Sequence, residues 1–256
     1  MSGKVRLSLA YDGTRYHGWQ LQPGQATIQG ELEQAFLKMT GLETRVIAAG
    51  RTDAGVHAQG QVAAFVNESR YAPEVIREGL NGLLPEDIAV IEAGAASEGF
   101  DPRRDAVGKH YRYTIHNHRV RPVLERRFRW HIKIPLDVAA MQDAVACLEG
   151  RHDFSAFRAA DCEARHAVRT IDHIIWHSRP PALILDVFGR GFLKHMVRNI
   201  VGTCVEIGRR RWPADKMREI LEGRDRTRAG RTALARGLCQ MMVYYDHEDY
   251  RNAFAD

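Results

Sequence analysis

The stretch from Gly50 to Ala58, GRTDAGVHA, combines one acid with residues that favour tight turns. Strands are predicted on both sides of it, so the loop would present Asp53 from a rigid frame, an arrangement common at functional sites. Arg51 lies two residues away and would keep Asp53 ionised, as a nucleophile or a base requires. Asp, Thr and Gly are equally common in ordinary turns. The residues alone therefore leave two interpretations open, a catalytic carboxylate and a plain turn.

Two further side chains stand out by their surroundings. Arg198 interrupts an otherwise apolar helical pattern, where a charge is costly unless it is paired. We therefore expect a buried partner such as Asp53. Tyr111 lies in the alternating stretch 109–118, on the same face as Tyr113. Spacing alone favours a core aromatic over a binding residue for Tyr111 and leaves both interpretations open.

Both helices and strands are predicted to position these residues. Alternating apolar residues predict strands at 5–9, 44–49, 61–66, 88–92, 109–118, 170–176, 182–188 and 238–245. Apolar residues at helical spacing predict helices after Thr27, Pro73, Asp137 and Pro213, and a long one over 192–207. Because the order of elements is similar early and late in the chain, we predict an α+β protein. Its two related halves, 1–106 and 107–256, would share a largely antiparallel sheet.

Positive charge is concentrated in two segments of the chain. The net charge is +5, but residues 100–131 carry +6 and residues 200–236 carry +5, so the remainder is acidic. Of the 37 cationic residues 31 are arginine, whose planar fork can grip a phosphate with two bonds. A nucleic acid is the natural partner for such segments. Solvated charged faces in an arginine-rich protein would give the same pattern.

Several classes of site and location are disfavoured. The four cysteines are widely spaced, which fits reduced thiols rather than a disulfide framework or a zinc site. The histidine pairs 116/118 and 173/177 lack a third ligand, so we expect no metal. No phosphate-binding GxxxxGK[ST] loop or paired-acid magnesium motif supports a phosphate-transferring enzyme. Since no stretch reaches the ~18 apolar residues of a membrane span and the first residues lack an apolar secretion signal, we expect a cytoplasmic protein without membrane contact.

Six blocks taken together resemble the TruA family of tRNA pseudouridine synthases. In chain order they are Tyr11–Gln20 (YDGTRYHGWQ), Gly50–Ala58 (GRTDAGVHA), Asn81–Ile88 (NGLLPEDI), Lys109–Tyr113 (KHYRY), Gly150–Phe154 (GRHDF) and Gly191–Gly202 (GFLKHMVRNIVG). Each block alone is weak evidence, but their order and their spread over about residues 4–245 are specific.

The resemblance implies a cofactor-free isomerase that converts uridine to pseudouridine at nucleotides 38, 39 and 40 of the tRNA anticodon stem-loop. It also implies a homodimer whose two α+β halves surround a central RNA-binding cleft. Carried over by position, Asp53 is the catalytic carboxylate, Tyr111 stacks on the target base, and Arg198 pairs with Asp53. Arg51 would contact RNA beside the site. A non-catalytic RNA-binding module is the alternative, but a pure binder gains nothing from an acid beside phosphates.

The chain departs from the family pattern at two places. Asp101-Pro102 stands where the family commonly has His-Ala, which would add repulsion towards a phosphate. Leu234 and Cys239 replace a proline and a tyrosine near the C-terminus, so packing beneath the active site is expected to differ locally. Neither departure touches the candidate catalytic residues.

Overall fold

A computed structural model of the protein describes residues 3–255, which form two compact units. The first unit runs through Val107 and takes in Gln240–Asp246, and the second comprises Gly108–Cys239 and the residues from His247 onward. These units differ from the predicted halves 1–106 and 107–256 chiefly at 240–246. Residues 240–244 of that segment belong to the last strand of the chain, which pairs with a strand of the first unit.

The first unit is a mostly antiparallel sheet packed against two helices. Its elements are β1 (Gly3–Tyr11), α1 (Ile28–Thr40), β2 (Ile47–Ala48), β3 (His57–Asn67), α2 (Pro73–Leu83) and β4 (Ile88–Ala96). In the sheet, β1 lies between β4 and β3, with β2 also on β3. Alternate residues of β1 share one buried core with Ile28, Leu32 and Ile76 from the helices. The chain's last strand, from Gln240 on, lies beside β3.

Local signals at α1 match its observed ends. The Thr27 hydroxyl accepts a hydrogen bond from the Gly30 amide at 3.2 Å, and Gly41 closes the helix at φ 74°. The predicted start after Thr27 is confirmed, and the glycine supplies the left-handed conformation that commonly ends a helix. The strand predicted at 44–49 is reduced to β2, because the Val46 amide donates to the Glu33 carboxylate at 2.9 Å instead of joining the sheet.

The second unit also combines an antiparallel sheet with helices. Its elements are β5 (Gly108–Asn117), β6 (Trp130–Ile132), α3 (Val138–Val145), β7 (Gly150–Asp153), β8 (Val168–Ile171), β9 (His173–Arg179), β10 (Ala182–Gly189), α4 (Met196–Gly208), α5 (Lys216–Gly223) and α6 (His247–Asn252). Strand β10 lies antiparallel between β5 and β9, and β6 joins β5 in parallel. The last strand of the chain, β11 (Leu238–Tyr244), starts in this unit. Strands β7 and β8 form a separate antiparallel pair.

Some predicted boundaries in this unit are wrong. The single strand expected at 170–176 is two, β8 and β9, which belong to different sheets. The helix expected from residue 192 begins four residues later, because His195 has a left-handed backbone at φ 63° that a helix cannot contain. The α+β class and the largely antiparallel pairing are confirmed. Among residues 3–255 no helix has the length and apolar character to cross a bilayer.

Candidate active site

The loop that carries Asp53 lies in the first unit, directly before β3. It folds back tightly, since the Val56 amide donates to the Asp53 carbonyl at 3.1 Å. Gly55 has φ 75°, a conformation that glycine adopts without strain. Asp53 is half-buried and Arg51 is exposed. The predicted loop with a carboxylate at its tip is therefore present.

The backbone of the block 11–20 grips this loop. The Trp19 amide donates to the Thr52 carbonyl at 3.0 Å. Side chains are excluded from the contact: a Cβ on Gly18 would lie 2.5 Å from the Thr52 oxygen, and one on Gly13 would lie 1.9 Å from the Val56 oxygen. Two backbones thus meet directly on either side of Asp53, which explains the glycines in that block.

A buried polar network supports the loop from below. The hydroxyls of Tyr11 and Thr52 share a hydrogen bond of 2.8 Å, and the Gln61 amide group donates to the Gly50 carbonyl at 2.8 Å. Gln240 in turn donates to Gln61 at 3.2 Å. Buried polar groups that are paired in this way favour one conformation over others. The network is not apparent from the sequence, because its members are far apart in the chain.

Asp12 and Tyr16 of the block 11–20 make hydrogen bonds that support the loop system. The Asp12 carboxylate accepts from the Thr14 amide at 3.0 Å, as expected of a turn former, and lies 3.1 Å from Nδ1 of buried His57. Tyr16 donates to the Asp87 carboxylate at 2.5 Å. Burial and that bond both raise the pKa of Tyr16 well above its usual range. Asp87 thereby ties the block 81–88 to the loop system around Asp53.

Tyr111 lies on β5 in the second unit. Its side chain is 8 % exposed, and the ring of Phe192 meets it edge-on with 5.1 Å between centroids. Two residues on, Tyr113 donates to the Leu234 carbonyl at 2.7 Å. Burial raises the pKa of Tyr113 far above its usual range. Both tyrosines are thus largely buried, as the spacing predicted.

Arg198 is the third residue of α4 and is half-buried. Its Nε donates to the Ala233 carbonyl at 2.9 Å, and the Ala233 amide donates back to the Arg198 carbonyl at 3.1 Å. One turn later, Gly202 allows the backbone at Arg231 to pack directly against α4, since a Cβ there would lie 1.7 Å from the Arg231 oxygen. The segment 231–233 therefore holds the Arg198 side chain in one orientation.

The arginines at the end of α4 are less available than their sequence suggests. Arg209 and Arg211 both form ion pairs with Glu206, at 3.4 and 2.9 Å, and Arg210 pairs with Asp137 at 3.1 Å. Arg104, in the other basic segment, pairs with Asp101 at 3.1 Å. A phosphate must compete with these carboxylates for the arginines. The number of arginines in the two basic segments therefore overstates their attraction for a phosphate.

Each predicted site residue has thus been placed within its own unit. Arg51 and Asp53 share the first unit's loop, and Tyr111 and Arg198 belong to the second unit. The pairing of Asp53 with Arg198 and the roles of Tyr111 and Arg51 towards RNA stay predictions. The part of the chain that the structure describes contains no group of three or more His, Cys, Asp or Glu placed to hold a metal ion.

Comparison with known proteins identifies the family. Residues 8–103 and 144–246 match the family model described as tRNA pseudouridine synthase. A tRNA pseudouridine synthase A from Myxococcus xanthus is 49 % identical over 243 residues, covering 94 % of this chain and 92 % of the relative. Those from Moorella thermoacetica and Pelobacter propionicus are 48 % and 46 % identical, each covering 94 % of this chain and 99 % of the relative.

Similarity to solved structures is much weaker. The archaeal box H/ACA sRNP Nop10–Cbf5 complex matches with a TM-score of 0.36 at 11 % identity, covering 78 % of this chain and 44 % of the other. That level carries no argument about this protein. The sequence relatives cover 94 % of the chain, and the ranges that match the family model contain both Asp53 and Arg198. The chain therefore belongs to the TruA family of tRNA pseudouridine synthases, which are isomerases.

Proposed function

We propose that this protein converts uridine to pseudouridine at nucleotides 38, 39 and 40 of the tRNA anticodon stem-loop, with Asp53 as the catalytic carboxylate. Family membership supports the reaction and the tRNA substrate. The loop geometry supports the role of Asp53, because this half-buried acid lies between backbone segments that hydrogen bonds and glycine contacts hold in place. Catalysis by a positioned group requires such preorganisation.

The reaction suits a single carboxylate. Uracil must leave C1′ of the ribose, turn, and rejoin through C5, with the C5 proton lost and a proton gained at N1. Asp53 has three possible first moves: attack on C1′, removal of the 2′ proton, or addition to the base. Each needs an ionised acid and no metal. Because substrate and product are isomers, the proposal includes no cofactor.

Tyr111 and Arg198 support the carboxylate in this proposal. Phe192 fixes the plane of the Tyr111 ring, and an aromatic face of fixed plane can hold a detached base by stacking. Arg198, oriented through Ala233, would pair with Asp53 and favour its ionised form. Its place in the first turn of α4 adds the positive end of the helix dipole.

Arg51 is proposed to contact the RNA next to the reacting nucleotide. A base inside a helical stem cannot be reached until its nucleotide leaves the stack. Arg51 is exposed and two residues from Asp53, so its guanidinium can occupy the vacated space or bind a flanking phosphate.

Assembly and location complete the proposal. We propose a homodimer that binds one tRNA across two subunits, as the family resemblance implies. The cytoplasm is the proposed location, and the free state of all four cysteines fits a reducing compartment. The alternative of a non-catalytic RNA-binding module finds no support in the family comparison, where the relatives carry the name of the enzyme.

The substitution Asp53→Asn tests the catalytic role. Asn is nearly isosteric, so the loop should keep its shape and tRNA should bind about as well as to the parent. Pseudouridine, mapped by carbodiimide labelling and primer extension, should be undetectable, because the charge needed in the transition state is gone.

The matched control is Asp153→Asn. Asp153 is another half-buried acid in a family block, but its carboxylate accepts from the Ser155 amide at 2.9 Å and has a turn-forming role. This variant should keep most of its turnover. Asp53→Asn retaining about a tenth of parental turnover, with deamidation excluded by mass spectrometry, would remove Asp53 from the mechanism. A parent protein that binds tRNA but forms no pseudouridine would favour the binding-module alternative.

A further inference from the structure

An open pocket lies entirely within the second unit, beside β6. Its volume is about 590 Å³, within the range of small-molecule sites. Four arginines line it, together with an aromatic and an aliphatic side chain: Arg121, Arg126, Arg129, Arg236, Trp130 and Leu234. None of these residues has a role in the chemistry proposed above.

The pocket has an excess of positive charge. Of its four arginines, Arg129 pairs with Glu125, which lies outside the lining. Within residues 3–255, Arg121 and Arg236 make no side-chain hydrogen bond or ion pair, and no carboxylate lines the pocket. Guanidinium groups that line one pocket without a counter-charge repel one another, and a bound phosphate that accepts hydrogen bonds from them would relieve this. The pocket therefore fits an anion.

Apolar surface lies next to these charges. The side chains of Val123 and Leu234 are 64 % and 44 % exposed, and both line the pocket. Trp130 forms part of the wall, with the Arg231 guanidinium 5.1 Å above its ring. A nucleotide presents both a charged phosphate and a flat, weakly polar base, so it matches this combination better than an inorganic ion does.

The pocket is also connected to the candidate catalytic residues of its own unit. Leu234 follows Ala233, whose carbonyl accepts from Arg198 at 2.9 Å. The Leu234 carbonyl accepts from Tyr113 at 2.7 Å, two residues from Tyr111 on β5. One short segment thus forms the pocket wall and holds Arg198 in place.

We propose that this pocket binds a phosphate and the adjoining base of the substrate tRNA, at a nucleotide other than the one that reacts. The inference rests on the proposed function, since it assumes tRNA as the partner. Arg121 and Arg236 would bind the phosphate, and Val123 and Leu234 would contact the base. Docking there would place the reacting nucleotide by its neighbour and would raise affinity for tRNA.

The double variant Arg121→Gln/Arg236→Gln tests the pocket. Loss of one phosphate contact lowers the slope of log K against log salt by about 0.7–0.9, and the slope of the double variant should fall by that amount. Kd and KM for tRNA should rise at least tenfold at physiological salt. The charge-matched control is Arg179→Gln/Arg190→Gln, two exposed arginines of the same unit outside the pocket. Its slope should change by less than half as much.

A second measurement does not depend on removing charge. The photo-crosslinking residue p-benzoylphenylalanine at position 123 should crosslink to bound tRNA beside the reacting nucleotide. The same residue at position 75, exposed on α2 in the first unit, should give no crosslink there. The crosslink decides the question if the double variant does not fold.

The outcomes separate the pocket from the enzyme. A parent that forms no pseudouridine contradicts the proposed function. An active parent whose double variant matches the control in Kd, KM and salt slope overturns the pocket proposal alone. A double variant that loses its oligomeric state in light scattering, with tRNA affinity per subunit unchanged, also overturns it, because the pocket would then be a protein interface.

Discussion

Gly18→Ala is the most direct test of whether backbone contact positions the Asp53 loop. Gly18 has φ 86°, and a Cβ there would lie 2.5 Å from the Thr52 oxygen and 3.0 Å from the Asp53 carbonyl carbon. A methyl group must either push the loop outward or break the bond from the Trp19 amide to Thr52. Gly24 is the matched control, because it has φ 71° in the same connection but open space around its Cβ position.

The cost of the left-handed backbone can be separated from the cost of steric overlap. A left-handed backbone costs alanine about 1–2 kcal/mol, and both variants should lose this from the free energy of unfolding. In Gly18→Ala alone, the methyl group also overlaps the backbone of the Asp53 loop, which cannot move aside as a side chain could. This overlap adds about 1–3 kcal/mol. Each kcal/mol lowers Tm by about 2–4 °C in a chain of this size. Gly18→Ala should therefore melt roughly 2–12 °C below Gly24→Ala.

Turnover should separate the variants more strongly than stability. Release of tritium from tRNA labelled at C5 of uridine reports the reaction, and the assay is run well below both melting temperatures. A displacement of about 1 Å in a catalytic group can cost 100-fold in rate, so kcat of Gly18→Ala should fall at least tenfold. Gly24→Ala should stay within about twofold of the parent. Equal turnover of the two folded variants would refute positioning by this contact.

Two further predictions follow from charges. Burial alone would raise the pKa of Asp186, but hydrogen bonds from His110 and Arg112 outweigh it and lower that pKa to about 2. At pH values above the pKa of this group in the unfolded chain, near 4, the depressed pKa adds about 2 kcal/mol to the free energy of unfolding. This contribution is lost as the pH falls towards 2. Urea midpoints of the parent and Asp186→Asn should differ at pH 7 and approach each other between pH 4 and 2.5; a constant difference would contradict this. tRNA binding should weaken steeply with salt. Arg103→Gln should lower the slope of log K against log salt by about one unit or less. Arg209→Gln should lower this slope less, because the Arg209 side chain is mostly buried against Glu206. The reverse order in anisotropy titrations would show that Arg209 binds phosphate.

The elements that sequence analysis predicted well are those with local causes. Helix α1 has its cap, its apolar stripe and its closing glycine within fifteen residues. In the structure these form the start, the buried face and the end of the helix. Strand β5 alternates between buried and partly exposed positions along most of its length. Such patterns arise from the geometry of a single element and need no knowledge of its neighbours.

Predictions failed or fell short where the structure was decided by something other than the apolar and charge pattern of one element. Only two residues of the predicted strand 44–49 pair with β3, because Glu33 of α1 takes the Val46 amide. The apolar pattern from residue 192 continues through His195, whose left-handed backbone sets the true start of α4. In the basic segment 200–236, Glu206 pairs with both Arg209 and Arg211, so part of the positive charge counted there is already balanced. Charge counts along a chain do not include such pairing.

The candidate site shows the same division between local and distant causes. Asp53 could be singled out because an acid between turn-forming residues is visible in one short stretch. The groups that support its loop could not, because Tyr11, Gln61 and Gln240 meet Thr52 and Gly50 only after β1, β3 and the last strand have paired. The glycines show this most clearly. Gly13 and Gly18 resemble turn residues in the sequence, but their missing side chains are what allow one backbone to pack against the other at Asp53. The position of the Asp53 carboxylate therefore depends on two glycines whose lack of a side chain leaves room for the neighbouring backbone.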